Sequence, residues 1–443
     1  MARTKNCKRS TGGKAPQGIQ VEKKPCTTHR RYSVITEGGR PIMNFSLKVA
    51  NHVLQKSLTE NNNSPTNMVL SPLSIDAVLN ILALGCHGPT LEQLLELLGC
   101  NDVNEFNEMA SGLADVLRES KGDDAPEISF ANILWVDNKF PLKPPFREVL
   151  RTEFQTEAWP VDFNNKDEVK QMVSEVNIWS ESISKGFIKQ IISENMIAKD
   201  TMMLLLNALY FKGTWVNRFK TEETKDEDFY LLNGNKVQVP FIGQTHKSFD
   251  YGTFEGCQVL RMLYNEEEVE KGEKARSFSM YIFLPEQKDG LPNLMQNINI
   301  DAAMFRDRIK LESTSIAKLS IPKFNFESQV QLSYPMKELG LTLPFDKHNK
   351  DLTGFVDFPV ESQGLFVTNV VQKCRVEVDE EGTKAVAFTR VHLATKAARR
   401  LTPPPPPINF VADHPFMFII REDFSGAILF VGTVVDPQST RVR

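Results

Sequence analysis

Thirteen consecutive residues, Lys384 to Lys396, alternate in the manner of a β-strand, and five prolines in a row stand just beyond them at Pro403 to Pro407. Together with the preceding Thr383, one face of this segment is Thr383, Ala385, Ala387, Thr389, Val391, Leu393 and Thr395, all small or apolar. The other face is Lys384, Val386, Phe388, Arg390, His392, Ala394 and Lys396, which is larger and mixed and holds four basic or imidazole groups. Period-two alternation is what a strand buried on one side requires. Its flanks are those of a loop, with Glu380-Glu381-Gly382 before it and the prolines after it. A proline run is extended and cannot donate ladder hydrogen bonds, so it acts as a stiff, exposed spacer. The segment therefore reads as a loop able to become a strand. The plainer readings are an ordinary edge strand or a mobile basic loop.

A segment of this kind needs a sheet to enter, and the rest of the chain supplies strands and helices. Hydrophobic residues make up 41% and charged residues 24% of the 443, the balance of a soluble chain with a sizeable core. The longest apolar runs, such as Met202 to Leu206, are too short to span a bilayer. Leu47, Ala50, Leu54 and Leu58 recur at helical spacing. Ser71-Pro72-Leu73-Ser74 can cap a helix that continues through Ile75 to Leu84, and Leu91 to Leu98 forms another. Phe130 to Val136, Phe278 to Leu284, Ala317 to Ile321, one or two stretches in 360–378, Phe416 to Ile420 and Ala427 to Val435 read as strands. No interior linker divides them. One mixed α+β domain over about 43–437 is expected, with a short carboxy-terminal tail at 438–443.

Residues 1–42 differ in kind. They hold ten Lys or Arg against Glu22 and Glu37, while the whole chain carries a net charge of −4. A polar, basic stretch this poor in apolar area is expected to be a disordered tail. It lacks the apolar core of a secretory signal, so a cytoplasmic or nucleocytoplasmic protein is expected. The six cysteines, Cys7, Cys26, Cys86, Cys100, Cys257 and Cys374, have no metal-binding spacing and read as free thiols. No phosphate loop, dinucleotide fingerprint or His-Glu-x-x-His is found, so no enzyme, metal site or cofactor is expected. His414, before Pro415 and an apolar run, reads as structural, and Glu266-Glu267-Glu268 as a solvated face. The acidic folded part argues against nucleic acid.

Four separated stretches carry a resemblance. Asn67 to Ile75, with Ser71 and Ser74, looks like the start of the second helix of the serpin family. Asn207 to Trp215 looks like its strand-and-turn signature. Glu380, Glu381, Gly382 and Thr383 look like the hinge of its reactive loop, and Val411 to Phe418, with His414, Pro415 and Phe416, like its carboxy-terminal signature. The chain thus resembles serpins, most of all those of plants. The resemblance implies three sheets, about nine helices, an exposed reactive-centre loop at about 380–407 and a metastable fold. It implies an endopeptidase partner that acylates itself on the loop and is trapped when the cut loop inserts into the large sheet, burying Ala385, Ala387 and Thr389. Family spacing sets the scissile bond at Lys396–Ala397, sixteen residues after Glu380. The stretch from there to Phe410 is about three residues longer than in plant relatives, and counting back from it selects Arg399 or Arg400 instead. Basic residues there suit trypsin-like serine proteases, or metacaspase-like or papain-like cysteine proteases.

Some residues depart from the family. Lys384, Val386 and Phe388 break the usual run of small residues, and Gln372 stands where the central-gap cluster of Ser71, Ser74 and Asn207 has a histidine. Thr395-Lys396 replaces the plant-type Leu-Arg pair. A non-inhibitory serpin is the alternative these departures raise. Met1 to Lys5 with Ser10 to Pro16, and again Leu393 to Arg399, resemble two stretches of one core-histone tail. That implies a chromatin-reader contact through residues 1–16 and a loop that imitates a histone cleavage site.

Overall fold

The computed structural model describes residues 41–59, 65–102, 116–117, 122, 124–269, 275–301, 304–358, 364–383 and 408–439. In chain order the elements are α1 (Pro41–Thr59), β1 (Met68–Leu70), α2 (Pro72–Gly85), α3 (Gly88–Leu98), β2 (Glu127–Asp137), α4 (Pro144–Glu153), β3 (Thr156–Val161), α5 (Lys166–Ile183), β4 (Met203–Thr214), β5 (Lys225–Tyr230), β6 (Lys236–Phe254), β7 (Cys257–Leu263), β8 (Phe278–Pro285), α6 (Leu291–Asn297), β9 (Glu312–Pro322), β10 (Phe324–Gln331), α7 (Ser333–Glu338), β11 (Asn369–Val378), β12 (Gly382–Thr383), β13 (Ile408–Val411), β14 (Phe416–Glu422) and β15 (Ile428–Val434). Of the expected stretch 360–378, only Asn369 onward is a strand among the described residues. The expected helices and the two carboxy-terminal strands stand where their apolar periodicity put them.

Two hydrogen-bonded sheets form. The smaller runs β10-β11-β4-β2-β3, with β12 paired to β4; the larger runs β1-β15-β14-β8-β7-β6-β9-β13, with β5 on β6. The third sheet that the resemblance implies is continuous with the larger one through β6. The first residues of this strand pair with β5 and its last with β7, while β9 pairs along the middle.

β4 shows why the sheet can hold chemistry at its centre. Nearly every one of its residues is buried, as in a strand covered on both faces. Leu204, Leu206 and Ala208 pack toward α5 with Ile133, Trp135, Ile188 and Ile191. Met203 and Leu205 pack toward α1 and α2. Leu209 and Phe211 join the aromatic core with Phe278, Phe416 and Phe418. α2 lies inside the molecule, buried along almost its whole length. Its Ser71 cap accepts the Ser74 N–H at 3.1 Å, and Pro72 starts the helix without forfeiting a hydrogen bond.

Two readings of the sequence meet different fates. Cys86, Cys100, Cys257 and Cys374 are buried and no disulfide joins them to one another, whereas Cys7 and Cys26 lie outside the described residues. Glu266-Glu267-Glu268 is not a solvated face throughout: Glu267 is 5% exposed and its carboxylate meets the Arg276 guanidinium at 2.9 Å. Arg276, nine residues on, supplies the partner that makes burial of this carboxylate tolerable.

Asp76, in the middle of α2, is fully buried, and desolvation, only partly offset by the Ser46 hydroxyl, pushes its carboxyl well above the usual range. The folded chain therefore holds this proton more tightly than the unfolded chain. Its contribution to stability is full below the ordinary aspartate value and is lost as pH rises toward the raised one. Asp76→Asn should raise the thermal midpoint at pH 8 by about 2 °C or more, with the difference shrinking toward pH 4. Equal midpoints across that range in a thermal-melt series would show that this carboxyl carries no such burden.

Candidate functional site

The site is a split in the smaller sheet. β11 and β4 pair in parallel from Asn369↔Leu204 to Cys374↔Leu209 and no further. Beyond that point β11 continues on β10 alone, up to Val378↔Phe324, while β4 continues on β2. The chain then reverses after Val378, and Gly382 and Thr383 pair antiparallel to Thr214 and Gly213 of β4. The four hinge residues are thus tied into the mouth of the split, and its upper end already holds a two-residue strand.

The turn is held almost entirely by hydrogen bonds. The Asp379 carboxylate accepts the N–H groups of Glu381 (3.0 Å) and Gly382 (3.1 Å), and its own N–H donates to the Gly382 carbonyl at 3.0 Å. Burial pushes the Asp379 carboxyl up, with the two N–H donors pulling the other way. Trp215 donates its backbone N–H to Glu381 O at 2.9 Å and its indole N–H to Asp379 O at 3.1 Å. Phe219 N–H donates to Glu380 O at 2.9 Å. The Glu380 side chain, 7% exposed, accepts from Thr224 Oγ1 and Lys323 Nζ, each at 2.7 Å. Against its desolvation, Lys323 and Thr224 hold this carboxyl below the usual range.

Gly382 is required by space as well as by conformation. Its φ is +157°, and a Cβ there would sit 2.0 Å from the Gly213 carbonyl oxygen. Beside it Thr383, 2% exposed, hydrogen-bonds the Tyr264 hydroxyl at 2.8 Å. Tyr264 is wholly buried, stacked on Trp215 at 4.4 Å and edge-on to Phe211 at 5.1 Å. Of the remaining loop positions, Ala385, Ala387, Thr389, Lys396, Ala397, Arg399 and Arg400 lie outside the described residues.

Below the split, where β11 and β4 are still paired, Gln372 and Asn207 turn to different partners. Gln372 reaches α2, where its Oε1 accepts the Ser71 N–H at 2.9 Å and its Nε2 donates to Ser71 O at 3.0 Å. A carboxamide presents acceptor and donor side by side, so it can serve both main-chain groups of one residue. The two nitrogens of an imidazole point apart and cannot. Asn207, the neighbour of Gln372 across the ladder, donates instead to Asn132 Oδ1 at 2.8 Å. Ser74 Oγ, Asn207 Oδ1 and Asn132 Nδ2 find no hydrogen-bond partner among protein groups. Buried polar atoms left in this way are costly, and here they come from α2, β2 and β4.

Asn132, Tyr264 and Lys323 had no signal in the sequence, because each reaches the site from a distant element, whereas Thr224 follows the Asn207–Trp215 signature at the position the resemblance gives it. His414 is structural, as expected: its ring nitrogens meet Pro285 O at 2.8 Å and Asp413 Oδ1 at 2.7 Å. Pro415 is buried beside it and Phe416 opens β14 against Phe324. No helix among the described residues is long and apolar enough to cross a membrane.

A family model described as serpin, serine protease inhibitor, matches residues 42–437. The chain belongs to the serpin family. It is 36% identical to Serpin-Z2A of Triticum aestivum over 87% of this chain and 94% of that one. It is also 36% identical to Serpin-Z3 of Arabidopsis thaliana, over 90% of this chain and 99% of that one. Among solved structures it is similar to Arabidopsis AtSerpin1 in its native stressed conformation, with a TM-score of 0.77 and 32% identity over 90% of this chain and 99% of that one. Serpins are protease inhibitors rather than catalysts, and a split sheet is the feature of this serpin that such a role would use.

Two substitutions test the geometry. Gln372→Leu strands both main-chain groups of Ser71 and should cost about 2–4 kcal/mol in denaturant unfolding, with Gln372→His losing less. A loss under about 0.5 kcal/mol would remove Gln372 from the seam. Gly382→Val should drive β12 out of the sheet, read as faster amide exchange over 379–383 and at Trp215. Unchanged exchange would mean the close approach to Gly213 does not hold the hinge.

Proposed function

We propose that this serpin is a suicide inhibitor of endopeptidases that cleave after lysine or arginine. The observation that carries the reading is β12: Gly382 and Thr383 already lie antiparallel against β4 in a split bounded by β11. The alternating segment Lys384 to Lys396 follows Thr383 directly in the sequence. A cut beyond it would let Ala385, Ala387 and Thr389 follow Thr383 into the sheet, with Lys384, Val386 and Phe388 on the opposite face.

The chemistry belongs to the protease. Its serine or cysteine attacks the scissile carbonyl, the peptide bond breaks, the amine leaves with a proton and the loop's new end remains as an acyl-enzyme. Strand insertion then moves the attached protease before water can complete hydrolysis. Glu380, Glu381, Gly382 and Thr383 are the hinge, Ser71, Ser74, Asn207 and Gln372 the cluster that the incoming strand must pass. Lys396–Ala397 is the first choice of bond, with Arg399 and Arg400 as alternatives. Trypsin-like serine proteases and metacaspase-like or papain-like cysteine proteases fit that basic residue.

The histone-like stretches at 1–16 and 393–399 extend this reading to a nuclear or nucleocytoplasmic target, a protease that clips histone tails, with residues 1–16 as the part a chromatin reader would hold. A purified clipping protease that cuts histone and ignores this chain would argue against it. The second reading is a serpin cleaved as a substrate, favoured by the bulk of Lys384, Val386 and Phe388 at the start of the loop.

Incubation with a trypsin-like protease separates the two. Inhibition should give a covalent complex that survives boiling on a denaturing gel, and sequencing of the released fragment should begin at Ala397, or at the residue after Arg399 or Arg400. The cleaved chain should also melt far above the uncut one. Clean cleavage with no complex and an unchanged melting temperature would overturn the proposal.

A further inference from the structure

The chain between α5 and β4 crosses the smaller sheet on the face opposite α2, and it passes over the point where the sheet splits. Ser184 Oγ receives the Ile188 N–H at 2.7 Å, and Asn177 Oδ1 of α5 receives the N–H groups of Ile191 and Ile192. Ile188, Ile191 and Ile192 pack with Ile133 of β2 and Leu206 of β4. These contacts fix the segment 184–192 to the β2–β4 side of the sheet. Its contacts with β11 lie on the other side of the split.

Three side chains meet at the split itself. The last β4–β11 pair is Leu209↔Cys374, so Tyr210 and Arg375 are the first residues on each strand beyond the ladder. Phe187 stacks face to face on Tyr210, with ring centroids 4.7 Å apart and planes 4° from parallel. The Phe187 carbonyl accepts from Arg375 Nη1 at 3.1 Å, and the guanidinium carbon lies 5.8 Å from the Phe187 ring. Arg375 Nε donates to Asn325 Oδ1 of β10 at 3.2 Å, which aims the guanidinium. Two residues lower on β11, Lys373 Nζ donates to Gln190 O at 2.5 Å and pairs with Glu327 at 2.9 Å.

We infer that Tyr210, Phe187 and Arg375 form a staple that holds the two strands together at the split and sets how fast a strand can enter. The inference rests on the strand-insertion reading of the previous subsection. A strand inserted between β4 and β11 moves them from one strand spacing, about 4.8 Å, to about twice that. Phe187 cannot then keep both its ring on Tyr210 and its carbonyl on Arg375, so the staple must open first. It makes contacts only in the closed sheet, and such contacts slow the opening without changing the chemistry of acylation. Arg375 is accordingly a positioning residue, acting through the segment it holds rather than on the protease.

The test uses the full chain and an acetylated synthetic peptide with the sequence of residues 383–394, whose incorporation is followed by native gel and by thermal midpoint. Arg375→Leu and Phe187→Ala should each speed incorporation about tenfold, the size expected for losing a hydrogen bond to a charged group. The double variant should be little faster than either, because both break the same link. Amide exchange at Ile188 in the uncut protein should also quicken in Arg375→Leu, a readout that does not depend on inhibition and reports folding of the variant elsewhere. If the parent chain takes up peptide and the variants do so at the same rate, the staple is overturned. If the parent chain takes up none, strand insertion fails as a reading, and exchange at Ile188 decides the staple alone: quickened supports it, unchanged refutes it.

Discussion

The structure depends on a parallel ladder that stops early. Between Asn369 and Cys374, β11 is paired on both edges; from Arg375 onward β10 is its only ladder partner. β4 likewise loses β11 after Leu209 and regains a neighbour only at Gly213 and Thr214. Facing strand edges inside a sheet are a template for another strand. The hinge at Gly382–Thr383 fills the first two places, which leaves the rest of the split as the position a cut loop would complete.

The surroundings of the split hold it from two sides. The hinge is held from above by main-chain bonds to Trp215 and Phe219 and by the Glu380–Lys323 pair. α2 is fastened to β11 from beneath through the Gln372 carboxamide. Close by, Asn207 of β4, Asn132 of β2 and Ser74 of α2 each leave a buried polar atom without a protein partner. Buried polar groups left so are costly.

Periodicity made much of the architecture readable. Leu47 to Leu58, Ile75 to Leu84 and Phe416 to Ile420 each show one period, and each forms the element that period implies. The Ser71 cap was readable because capping is local. Glu380 to Thr383 stood out because the acidic pair, glycine and threonine are contiguous. What escaped the sequence was every partner arriving from afar. Tyr264 meets Thr383 across 119 residues, and Lys323 meets Glu380 across 57. Arg375 carried no sign of its tie to Phe187, because the register that makes it the first residue beyond the ladder belongs to β4 and β11 together.

The amino-acid sequence by itself determined several of the helices and strands, and that a small-residue face precedes a stiff proline spacer, since these follow from side-chain periodicity and the fixed φ of proline. It also determined that Gln372 could present a donor and an acceptor together. Only the tertiary structure decided where two strands part, which main-chain groups that amide serves and which side chains bridge the opening. Those outcomes depend on distances between residues far apart in the chain, and such distances exist only once the sheet and the helices have packed.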